Sequence, residues 1–195
     1  GGLGHRLDPK APSDAFTLHL DQLGMVNAVA LPGGRMVLFD GMVDEVGNPD
    51  AIAGIVAHEI AHVRRRHVAS AMVRQLGLGT VVTLLGGGAV AGNAGNLLSL
   101  RFSRSAEAEA DSDAIAMLNR ARISPRRTAD LFGDLSRDQA EDTGYALEFL
   151  QSHPLSRSRA RRFAAAEVKG ARYTPALSLE QFPALKTMCG PAESD

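Results

Sequence analysis

The chain has 195 residues, enough for one domain that buries roughly 70% of its unfolded surface. Hydrophobic residues at 45% and charged residues at 22% exclude a largely disordered chain. A net charge of −1 argues against a nucleic-acid binder, and the single Cys189 excludes a disulfide framework or a multi-cysteine metal site.

Residues 5–15 are polar and read as a leading segment. Three short apolar runs come after it. Phe16, Leu18 and Leu20 alternate with polar residues; Met25–Leu31 and Met36–Phe39 come next. Leu31-Pro32-Gly33-Gly34-Arg35 is strong turn chemistry, so a small antiparallel sheet is expected over 5–40. From Gly41 the pattern becomes helical. Asn48-Pro49-Asp50 reads as a helix start. Ala51, Ile52, Ile55, Val56, Ile60 and Val63 then give an apolar stripe of 3.6-residue period to about residue 67. Residues 68–76 continue that helix or begin another.

Residues 76–100 contain no charge and seven glycines. Two readings stay open: two buried short helices around a loop, or a hairpin that touches a membrane surface. Ser103–Arg120 reads as a helix, stopped by Ile123-Ser124-Pro125, which opens the next to about Arg137. A polar stretch, 138–143, precedes a short helix to about Leu150. A basic helix from Ser156 to Lys169 completes a helical core over 41–169, and 170–195 forms a tail. The expected class is α+β, mainly helical: a small sheet, then a metal-binding helix and a helical bundle in one domain, 1–195.

The chemistry concentrates in His58-Glu59-Ile60-Ala61-His62. Residues i and i+4 lie about 40° apart around a helix, so both imidazoles leave one face a turn apart. That spacing suits two nitrogens binding one Zn²⁺ at about 2.0–2.1 Å, with Glu59 placed to activate a zinc-bound water as base. A catalytic site needs a third protein ligand. His67 follows His62 by about 500° of helix, 140° off the ligand face, so a structural role beside a carboxylate is expected for it. Glu107 and Asp111 share one face of the next helix. Glu107 is the candidate third ligand and Asp111 the candidate acceptor for a zinc histidine. Glu109 faces elsewhere.

Four blocks in this order resemble one family. They are Asn27-Ala28-Val29-Ala30-Leu31-Pro32-Gly33-Gly34; Gly54 through Val63 with Arg66-His67; Ser103-Arg104 with Glu107 and Asp111; and Ser152-His153-Pro154. The sequence is similar to the gluzincin peptidases of metallopeptidase family 48, which include the CAAX prenyl endoproteases, HtpX-type and BepA-type proteases. The resemblance implies a gluzincin-like fold, one zinc per chain held by His58, His62 and Glu107, and Glu59 as catalytic base. It implies that Asn27, Ala28, Val29 and Ala30 bind a peptide or protein substrate by strand addition. His153 would lie over the zinc, as a latency switch, a transition-state donor or a helix-capping residue. Arg157 or Arg161 would assist the oxyanion or form a solvated face. The function implied is a zinc metalloendopeptidase of envelope or membrane protein quality control. It would sit at the periplasmic face of a bacterial envelope or be tethered through segments of a longer parent. The alternative is a zinc-bound, chaperone-like or latent domain with little proteolysis.

Overall fold

The computed structural model describes residues 2–12, 14–79, 81, 100–141, 147–154, 157–178 and 180–188. Among these, the elements in chain order are α1 (Leu3–Leu7), β1 (Thr17–Asp21), β2 (Ala28–Ala30), β3 (Arg35–Phe39), α2 (Asp40–Val46), α3 (Pro49–Arg64), α4 (His67–Leu76), α5 (Arg104–Arg120), α6 (Arg126–Glu141), α7 (Leu147–Ser152), α8 (Arg157–Ala165) and α9 (Gln181–Thr187). The fold is mainly helical with one small three-stranded sheet, as the sequence pattern predicts. The expected loop at 86–95 and most of the uncharged 76–100 stretch lie outside the described residues. Among the described residues, no helix is long and apolar enough to cross a membrane.

Asn48 caps α3 by accepting from the amides of Asp50 and Ala51 at 2.9 and 3.3 Å, and Pro49 supplies a preset first turn. The predicted apolar stripe understates the burial of this helix. Every residue from Ala51 to His62 is buried, so α3 is the central helix of the domain rather than a surface helix. It packs chiefly on α5, then on α6 and β2. The helix stops at Arg65, and Arg66 takes a left-handed conformation (φ 57°) before α4 begins. Residues 67–76 are thus a separate helix.

The sheet departs from the expected antiparallel arrangement. Its order is β1-β3-β2, with β2 antiparallel to β3 but β1 parallel to it. The alternating pattern marks strands but carries no strand order; the path of the connection decides that. Here residues 22–27 cross to the far side of β3 instead of turning back. Asp40 pins this crossing by accepting from the Gly24 amide at 2.8 Å. Gly41 leaves room for it, since a Cβ there would meet the Gly24 and Met25 carbonyls. β3 therefore occupies the centre, with Met36, Leu38 and Phe39 in the core. β1 is an exposed edge; β2 is a buried edge against α3.

The main core joins Ile52, Ile55 and Ile60 of α3 to Met117 and Leu118 of α5 and to Phe132, Phe149 and Phe163. Gly54 sets the approach of α6. A Cβ at Gly54 would fall on Thr128 Oγ1 and lie 2.8 Å from both Cβ and Cγ2 of that residue. Gly54→Ala is expected to cost about 1–3 kcal/mol by overpacking, read as a lower denaturant midpoint. Adding Thr128→Ala removes two of the three clashing atoms and should restore part of the loss.

Candidate metal centre

Four buried side chains from two helices and one turn converge. His58 and His62 come from α3, Glu107 from α5, and His153 from the turn after α7. One donor atom from each lies within 4.8 Å of all the others. The closest pairs are tighter. His58 Nε2 is 3.0 Å from His62 Nε2 and 3.3 Å from His153 Nδ1. Glu107 Oε1 is 3.3 Å from both His62 Nε2 and His153 Nδ1, and Glu107 Oε2 is 3.5 Å from His58 Nε2. Four donors about 2.0–2.1 Å from one tetrahedral ion would stand about 3.3–3.4 Å apart. The cluster is compatible with a zinc-binding site on that test.

The ionisation of the metal-free cluster is uneven. Burial opposes charge on His58, but Glu107's charge and hydrogen bonds to Asp111 and Glu107 outweigh it and raise the ring to about 9. Burial takes His62 well below its ordinary value, helped by the neighbouring His58 and His153. Glu107 is buried as well, yet His153 and His58 hold it well below the usual carboxylate range.

Asp111, fully buried one turn beyond Glu107, lies 3.2 Å from His58 Nδ1. It receives a two-pronged hydrogen bond from Arg159 of α8, at 2.8 and 2.7 Å. Arg159 also stands 2.6 Å from Glu107 Oε2 and donates to the Pro154 carbonyl at 3.1 Å. Despite burial, His58 and Arg159 keep Asp111 below its ordinary value. Sequence reasoning did not single out Arg159; Arg157 and Arg161, which it considered for the oxyanion or a solvated face, are exposed. Phe163 was the available signal. Arg159 is four residues before this fully buried aromatic, hence on the same buried face of α8.

Glu59 is buried beside the cluster, and neither of its oxygens has a hydrogen-bond partner among the described residues. Burial raises its pKa; His153, His58 and the nearby Ala30 amide offset this only partly. His153 Nε2 lies 3.5 Å from Glu59 Oε1, and Phe149 stacks on the His153 ring with centroids 4.9 Å apart. Phe102, a second residue the sequence did not flag, covers His62 at 4.0 Å and His153 at 5.2 Å between centroids. Glu109 points outward to Arg65, as its spacing implies. His67 stands behind His62, Nδ1 to Nδ1 at 3.1 Å, with Glu109 3.8 Å from its Nε2. Burial lowers its pKa.

β2 borders this centre. Asn27 O accepts from Phe39 N, and Leu31 N donates to Arg35 O, so the alternate residues Ala28 and Ala30 turn their backbone groups away from β3. Asn27 Oδ1 accepts from the Ala28 amide at 2.8 Å, while its buried Nδ2 has no partner among the described residues. All three β2 residues are buried, and Ala30 packs with Val68, Ala71, Met72, Val81 and Leu100.

The profile of peptidase family M48 matches residues 8–167. The β-barrel assembly-enhancing protease of Yersinia pestis is 33% identical over 175 residues, covering 80% of this chain and 36% of the relative. Its Escherichia coli K12 counterpart is 30% identical, covering 80% and 35%. The mitochondrial metalloendopeptidase OMA1 of Schizosaccharomyces pombe is 29% identical over 153 residues, covering 75% and 45%. The chain spans less than half the length of these relatives. It belongs to peptidase family M48.

A raised carboxyl pKa means that ionised Glu59 destabilises the folded state above the unfolded value of 4.5. Glu59→Gln removes that charge without changing shape. The melting temperature of the metal-free protein should rise at pH 7, and the gain should shrink as pH falls toward 4.5.

Proposed function

We propose that this M48 peptidase chain is the catalytic unit of a zinc-dependent endopeptidase, with one ion held by His58, His62 and Glu107 and with Glu59 as general base. The observation that carries this reading is a buried set of four converging donors beside a carboxylate without hydrogen bonds of its own. Once bound, zinc supplies Lewis-acid polarisation of the scissile carbonyl and lowers the pKa of water toward about 7.

The chain's own residues do the rest. Glu59 takes the proton of the attacking water and passes it to the leaving amine. Its upward-shifted pKa brings it nearer the working pH, where such transfers are most efficient. Asp111, 3.2 Å from His58 Nδ1, is placed to take the Nδ1 proton once zinc engages the Nε2 lone pair. Arg159 contacts Asp111 and Glu107 together and helps keep Asp111 ionised.

A peptide substrate would add as a strand along β2, pairing first with the outward carbonyls of Ala28 and Ala30, since the Ala28 amide is already held by Asn27 Oδ1. The Ala30 amide neighbours Glu59, so such a strand would pass its scissile bond near the base. The free Asn27 Nδ2 would donate to the same strand. His153 fills the remaining corner of the cluster and β2 is covered, which supports a latent, closed state. Relatives named for β-barrel assembly support a role in envelope protein quality control, facing the periplasm or tethered through segments beyond this chain.

Elemental analysis together with cleavage of an unstructured protein such as casein tests the reading. Wild type should carry about one zinc, in line with a three-ligand site, and Glu107→Ala should lose most of it. Glu59→Gln should keep the metal and lose about 10²–10⁴ in kcat. His153→Ala should keep the metal and cleave faster than wild type. A wild type purified without chelator that holds no zinc overturns the proposal, as does full activity in Glu59→Gln.

A further inference from the structure

We propose that His67 is a positioning residue for the metal centre, holding His62 in the tautomer and orientation that present Nε2 to the ion. The inference rests on the zinc site of the proposed function. The two histidines of α3 face the same need. Each turns Nε2 into the cluster, so each must place its single ring proton on Nδ1 and find an acceptor for it. For His58 that acceptor is Asp111, 3.2 Å away. For His62 the atom facing Nδ1 is His67 Nδ1, at 3.1 Å, with the two rings 69° apart in plane.

The protons are then fixed down the line. His62 Nδ1–H donates, so His67 Nδ1 accepts and the His67 proton sits on Nε2. That atom faces Glu109 Oε2 at 3.8 Å. Glu109 is in turn held by Arg65 at 2.5 Å, and Arg65 forks onto Asp113 at 2.7 and 2.9 Å. The His62–His67 contact is at hydrogen-bond distance, while Glu109 faces His67 Nε2 at ion-pair distance from the exposed network.

The backbone points the same way. In an unbroken helix His67 would point about 140° away from His62. The chain instead ends α3 at Arg65 and places Arg66, which has a Cβ, in the left-handed region (φ 57°, ψ 28°). A side-chain-bearing residue there is disfavoured, and such outliers point to function when they position something. What this one positions is His67, turned back against His62.

The test compares three chains by zinc affinity, using competition with a chromophoric chelator, and by the melting temperature of the metal-free protein. His67→Phe keeps a ring and removes the acceptor. His67→Asn puts a carbonyl oxygen near the former Nδ1. The expected result is a loss of about 10–100-fold in zinc affinity for His67→Phe with an unchanged metal-free melting temperature, and recovery of most of that loss in His67→Asn. Nitrogen NMR of the zinc-loaded wild type should show the His62 proton on Nδ1. Wild-type affinity in His67→Phe overturns the inference while leaving the zinc site intact. Equal losses in both variants with lowered metal-free melting temperatures also overturn it, by assigning His67 a packing role. A wild type that binds no zinc overturns this inference and the site together.

Discussion

The paired charge of Asp111 and Arg159 organises this molecule. A carboxylate with no exposure costs several kcal/mol unless it is matched by a partner and by hydrogen bonds. Arg159 supplies both through its fork, and the remaining neighbour is His58. One interaction therefore connects three helices. It docks α8 against α5, orients a histidine of α3, and brings a cation to Glu107. The same guanidinium donates to the Pro154 carbonyl and so fixes the turn that carries His153. Without Arg159, the two buried carboxylates Glu107 and Asp111, one helical turn apart, would lose the cation between them.

The surroundings are built to keep these groups close and dry. α3 is buried on all sides from Ala51 to His62, mostly by apolar and small residues, and its polar side chains open only onto the cluster. Gly54 lets α6 approach without displacing the helix, and Asn48 fixes where the helix begins. Phe102 and Phe149 close over the histidine rings. The cost is borne at the functional groups. Among the described residues neither oxygen of buried Glu59 has a hydrogen-bond partner, and buried Asn27 Nδ2 has none either, local departures from a satisfied polar interior. Departures of this kind are expected where a fold holds groups for chemistry rather than for stability.

The arrangement is a closed one. β2 runs beside Glu59, yet its Ala28 amide is held by Asn27 Oδ1 and Ala30 is buried against α4 and the flanking positions 81 and 100. His153 stands within the donor cluster instead of beside it. Admission of a peptide would require both the cover and His153 to move, and the two are adjacent in space through Phe102.

The sequence by itself determined the long helices and which of their residues share a face, while α1 and α9 lie in stretches that read as a leading segment and a tail. Helical spacing placed His58 with His62 and Glu107 with Asp111, because i and i+4 share a face whatever the tertiary context. Asn48-Pro49 announced α3, and Ser124-Pro125 announced α6, through local capping chemistry that needs no distant partner. Tertiary structure alone decided the rest. Strand order in the sheet depended on where residues 22–27 were pinned, and alternation is blind to that. Arg159 met Asp111 because α8 docks by Phe163, a packing event between segments some fifty residues apart. His67 reached His62 because the chain broke helix at Arg66, where three consecutive arginines carry no breaking signal. Local rules describe a residue's neighbours along the chain; a buried charge finds its partner only when the whole chain has closed around it.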